Sequence, residues 1–120
     1  MHELSIAYGI VDIVRQYVQP PQLKQVRSVR LKVGDQSGVV IDSLEFSYSA
    51  ITADTDLGGS RLEIERLPFL IECRSCKKQS ETEMGVVLCP ACGSTETSVI
   101  SGTELQVLDI EIRENGSEGS

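Results

Sequence analysis

Two pairs of cysteines, Cys73-Arg74-Ser75-Cys76 and Cys89-Pro90-Ala91-Cys92, hold every thiol of the 120-residue chain, and twelve residues separate the pairs. A divalent zinc ion takes four soft ligands in a tetrahedron, and each Cys-x-x-Cys turn presents two thiolates from one tight bend. The spacing is shorter than the roughly fifteen to twenty residues of the common template but of the same kind. Gly93, directly after the second pair, suits a turn that needs positive φ. Cys73, Cys76, Cys89 and Cys92 therefore read as a closed zinc site. An iron site of rubredoxin type and two disulfides are the alternatives open to the same residues. Four protein ligands leave no open position, so such a site is a staple and not a reaction centre.

A second constellation lies at the start of the chain, Met1-His2-Glu3, with the only histidine. A side chain as large as His at position 2 keeps an initiator methionine in place, so a free α-amine beside an imidazole is expected. The Met1 amine, the His2 backbone nitrogen and the His2 ring nitrogen close adjacent chelate rings around one metal. The Glu3 nitrogen or carboxylate supplies a further ligand. Nitrogen-rich square-planar sites suit divalent nickel or copper. The plainer reading is a solvated chain end. Asp35, in the loop after the first strand, is a further carboxylate candidate; its plainer reading is an ordinary turn aspartate.

Eighteen acidic against eleven basic residues give a net charge of −7, and Trp is absent. That balance argues against nucleic-acid binding, which needs clustered Lys and Arg and stacking aromatics. Glu3, Asp12 and Arg15 interrupt any apolar leader in the first twenty residues, and no run reaches the ~20 apolar residues that span a bilayer. The expectation is a cytoplasmic protein, with no membrane partner, whose thiols stay reduced.

The elements that must position these residues follow from periodicity. Residues 1–19 read as a helix, with Leu4, Ala7, Val11, Val14 and Val18 in one row and Ile6, Ile10, Ile13 and Tyr17 beside it. Gly9 weakens it and is expected to mark close packing; Pro20-Pro21 ends it. Residues 26–34 read as a strand with Val29, Leu31 and Val33 on one face and Val26 out of phase. A second helix is expected near Asp42, with Asp42 and Glu45 as a capping box and Leu44, Tyr48 and Ile51, flanked by Phe46 and Ala50, as its apolar face. Arg61–Leu67 and Glu104–Arg113 complete a three-stranded sheet. Residues 69–102 carry the cysteines and little apolar content beyond Phe69, Leu70, Ile71, Met84, Val86, Val87 and Leu88, so metal must supply much of their folding free energy. The fold class is α+β: a small three-stranded sheet with two helices, plus an inserted four-cysteine module resembling a zinc ribbon. The boundaries are 1–68 with 103–114 for the discontinuous α/β domain and 69–102 for the zinc domain. Residues 115–120 form a polar tail expected to be disordered.

Met1-His2-Glu3-Leu4-Ser5, Val33-Gly34 with Ser37-Gly38-Val39, Cys89-Pro90-Ala91-Cys92-Gly93-Ser94 and Gly102-Thr103-Glu104-Leu105 together resemble the HypA/HybF family, from residue 1 to about 113. The resemblance implies a nickel-insertion metallochaperone for hydrogenase maturation, not an enzyme. Nickel would bind at Met1, His2 and Glu3, and structural zinc at the four cysteines. The implied partners are a HypB-type GTPase and the large subunit of [NiFe] hydrogenase; some relatives also serve urease. A homodimer is open, through sheet edges or a swapped module. Two positions depart from the family pattern. Lys77 stands where relatives often have Gly, which predicts a less regular first knuckle, and Thr103 stands where they often have Arg. A zinc-ribbon interaction module without a second metal is the competing function.

Overall fold

The computed structural model describes residues 2–113; Met1 and the expected tail at 115–120 lie outside them. The order is α1 (Glu3–Tyr17), a 3-10 helix (Pro20–Gln25), β1 (Val26–Gly34), α2 (Ile41–Thr52), β2 (Arg61–Leu67), β3 (Leu70–Cys73), β4 (Gln79–Glu81), β5 (Thr97–Ser101) and β6 (Leu105–Ile112). One three-stranded sheet runs β2-β1-β6 and a second β4-β3-β5. The α+β expectation holds, and the final strand joins the first two as the alternation of apolar residues required. The described residues fall into two compact units, 2–31 with 39–64 and 107–113, and 32–38 with 65–106.

In the first unit α1 packs against α2. Ala7, Ile10 and Val14 are the buried stripe of α1, continued by Val18. The stripe is narrower than the two rows expected, and Leu4 and Tyr17 face water. Gly9 makes no close approach: a Cβ there would meet nothing within 4 Å. On α2, Leu44, Tyr48 and Thr52 are buried. Phe46 is 76% exposed; it lies roughly 200° around the helix from Leu44 at about 100° per residue. Leu57 in the connecting turn is buried as well. The Tyr48 hydroxyl is 2.6 Å from Ser60 Oγ, which satisfies a buried polar group. Val26 belongs to β1 and is buried, as is Ser28. Burial therefore changes parity between Ser28 and Val29, after which Val29 and Leu31 are the buried residues. Arg30 clamps Asp109 of β6 with Nε–Oδ1 3.0 Å and Nη2–Oδ2 2.7 Å.

The capping box does not form. The N-cap of α2 is Val40, so Asp42 and Glu45 sit too far along the helix, and no side chain of its own caps it. Instead the Glu3 carboxylate on α1 accepts the Val40 N–H at 2.9 Å.

The second unit has a small core: Val33, Phe69, Ile71, Cys73 and Cys89. β3 pairs antiparallel with β4 on one side and β5 on the other. Two glycines permit a close crossing. A Cβ on Gly34 would lie 2.1 Å from the Gly102 carbonyl carbon, and one on Gly102 would lie 2.5 Å from Phe69 Cα. Gly102 also has φ 113°, a conformation only glycine adopts at little cost.

Candidate metal centres

Each cysteine pair sits in the same local frame. The Cys73 N–H donates to the Lys78 carbonyl at 2.9 Å and the Lys77 N–H to the Cys73 carbonyl at 2.9 Å. The second turn repeats this with Cys89 N to Ser94 O at 3.0 Å and Gly93 N to Cys89 O at 2.8 Å. Lys77 has φ 65° and Gly93 φ 77°. The first knuckle is thus as regular as the second, contrary to expectation, because Lys77 accepts the left-handed conformation. A lysine there costs about 1–2 kcal/mol that glycine avoids.

These turns bring all four Sγ atoms within 4.8 Å of one another. Cys73 Sγ lies 3.6 Å from Cys92 Sγ, and Cys76 Sγ 3.6 Å from Cys89 Sγ. A zinc ion about 2.3 Å from each of four tetrahedral sulfurs sets them about 3.8 Å apart, so the donor set fits zinc with shifts of about 1 Å or less. The thiols are free, not paired as disulfides. Cys73 and Cys89 are buried while Cys76 and Cys92 face solvent. The Cys76 N–H, 3.4 Å from Cys73 Sγ, is the main cause holding the Cys73 thiol down to about 6. At Cys92 the Ser94 amide acts to lower the pKa, but the neighbouring Cys73 thiol and desolvation prevail and push it up to about 12. A zinc ion held by these four sulfurs would replace those protons and close the module.

At the chain start, His2 is the exposed N-cap residue of α1, and its ring makes no capping hydrogen bond. The first intrahelical bond runs from Ile6 N to His2 O at 3.2 Å. The amide nitrogens of His2 and Glu3 therefore precede the intrahelical ladder, as first-turn amides do. The Val40 amide, then Glu3's own amide, hold the Glu3 carboxyl below its ordinary value. Asp35 belongs to the second unit. Its N–H donates to the Leu67 carbonyl at 2.8 Å, and its carboxylate lies 3.6 Å from Arg66 Nε. The tie between Glu3 and Val40 was not legible from local spacing, since 37 residues separate the two.

The family model described as "Hydrogenase/urease nickel incorporation, metallochaperone, hypA" matches residues 1–112. The chain belongs to the HypA family. It is 43% identical over 112 residues to hydrogenase maturation factor HypA of Geotalea uraniireducens, covering 93% of this chain and 99% of that protein. It is 39% identical over 112 residues to hydrogenase maturation factor HypA of Streptomyces avermitilis, covering 92% and 86%. The solution structure of the nickel metallochaperone HypA from Helicobacter pylori shares the fold, with TM-score 0.62 at 17% identity, covering 94% of this chain and 98% of that one. The HypA family is one of nickel-incorporation metallochaperones acting in hydrogenase maturation, not of enzymes. No described helix is long and apolar enough to cross a membrane.

Proposed function

We propose that this chain binds one Ni(II) at its N-terminus and delivers it, with a HypB-type GTPase, to the large subunit of [NiFe] hydrogenase in the cytoplasm. The observation that carries the reading is the start of α1. The His2 ring is exposed and uncommitted to capping, next to amides outside the intrahelical ladder. Within a nickel-carrier family, that is a set of nitrogens able to enter a metal's plane without breaking the helix, the Glu3 amide by giving up its contact with its own carboxylate. Met1 supplies its amine, His2 its backbone and ring nitrogens, and Glu3 its backbone nitrogen. The Glu3 carboxylate serves the Val40 amide and is secondary as a ligand. Asp35, on the second unit beside Arg66, is the remaining carboxylate candidate and is tested on its own.

Cargo binding requires loss of protons from the amine and amides, so nickel affinity falls as pH falls. A terminal site caged by few neighbours also exchanges ligands readily with a recipient. Zinc on the four cysteines holds the second unit's shape and takes no part in transfer. Calorimetric nickel titration of His2→Ala tests the assignment. Stoichiometric nickel binding is lost while zinc content and circular dichroism stay as in the wild type; retained affinity sinks it. Asp35→Asn in the same titration measures the second carboxylate.

A further inference from the structure

Of the apolar residues between the cysteine pairs, none of Met84, Val86, Val87 and Leu88 enters the core. They form an exposed tip between β4 and the second knuckle, with Met84 89% exposed. The tip is built, not slack. The Val86 N–H closes a turn on the Glu83 carbonyl at 3.1 Å. Thr82 Oγ1 donates to the Val86 carbonyl, and Thr97 Oγ1 to the Val87 carbonyl at 2.6 Å. Gly85 backs onto the Gln36 side chain. Met84 and Gly85 both have positive φ, 55° and 74°. Such a two-residue turn favours Asn-Gly, and methionine in its first place is strained. A strained residue that buries nothing has no role in stability.

The stretch of chain that carries the tip has charge of one sign. From Gln79 to Ile112 there is no Lys or Arg, while Glu81, Glu83, Glu96 and Glu104 fall in the second unit. That unit's cations, Lys32, Arg66, Arg74, Lys77 and Lys78, all come earlier in the chain; Arg66 lies beside Asp35, and Arg74 is turned to Ser98. A zinc ion with four thiolates adds further negative charge. Phosphate-rich surfaces, whether nucleic acid or anionic membrane, are repelled, and so is a second copy of a chain with net charge −7. We infer that the Met84–Leu88 tip docks into an apolar pocket rimmed by Lys and Arg on a protein partner, with Met84 as the anchor. The flexible thioether suits that role. The inference rests on the proposed function only in its choice of partner proteins.

The test uses the zinc-loaded full chain, titrated against the purified partner GTPase and the hydrogenase large-subunit precursor. Met84→Gly removes the anchor and relieves the backbone. It is expected to raise the melting temperature yet weaken binding to one of the two proteins about tenfold or more. Glu81→Lys with Glu83→Lys weakens the same complex, and so does raising the salt. Unchanged affinity of Met84→Gly for both proteins overturns the inference, as does a wild-type chain that binds neither at low salt or self-associates through the tip. Nickel stoichiometry of Met84→Gly stays at the wild-type value, so a failure of the N-terminal nickel site shows separately, in His2→Ala.

Discussion

The carboxylate of Glu3, at the start of α1, receives the N–H of Val40, the residue that opens α2, at 2.9 Å. One residue thus belongs at once to the proposed nickel site and to the packing of two helices. Glu3→Ala is expected to lower the melting temperature by a few degrees, the usual scale of a lost helix cap. Glu3→Gln, which keeps an acceptor oxygen, restores most of it. Asp42→Ala costs less than Glu3→Ala, because the local capping box is not formed. Thermal unfolding of the three variants checks the order.

The same contact has a pH signature. The folded-state pKa of Glu3 is depressed from the ordinary 4.5 by the Val40 amide and then its own. Its contribution is therefore complete above that ordinary value and is lost as pH falls through the lower, folded-state value. Melting temperature measured from pH 7 downward should fall more for the wild type than for Glu3→Gln, which has no carboxyl to protonate.

Glycines in the two units should respond with opposite signs. Gly9→Ala places a methyl in open space on a helix and should stabilise by about 1 kcal/mol. Gly34→Ala drives a methyl to 2.1 Å from the Gly102 backbone and should destabilise by about 3 kcal/mol or more. Chemical denaturation of the zinc-loaded variants reads both.

Lys77 occupies the position that Gly93 fills in the second knuckle, and both backbones are left-handed. Lys77→Gly should stabilise the zinc-loaded chain by about 1 kcal/mol without changing zinc stoichiometry. A loss of stability would mean that the lysine side chain contributes more than its backbone strain costs.

Zinc should leave as the solution is acidified, because protons and metal compete for the four sulfurs. The Cys73 thiol, held down to about 6 chiefly by the Cys76 amide, gives up its proton most readily. A single Cys73→Ser or Cys89→Ser change removes a buried ligand and should release zinc at a pH well above that of the wild type, read by a zinc-sensitive dye. Natively expressed protein that is red and redox-active would instead point to iron.

Much of this architecture was legible because its signals are local. The alternation of Val29, Leu31 and Val33 marks β1, whose bounds came out as expected, and paired Cys-x-x-Cys turns announce the thiol cluster. Features that depend on distant partners were not legible. Ser28 carries no apolar signal yet is fully buried, its hydroxyl donating to Glu111 of β6. Glu3 replaces the local cap of α2 from another helix. Met84 to Leu88 are apolar by composition, and nothing local announces that the turn at Met84-Gly85 leaves them facing water.

In the proposed site nickel is held by the chain's own first residues, through the Met1 amine as well as the His2 ring. Extending the chain by two residues before Met1 turns that amine into an amide. Calorimetric titration should then give one nickel per unmodified chain and no stoichiometric binding to the extended one, with zinc content and melting temperature unchanged. Wild-type nickel affinity in the extended chain would contradict the account.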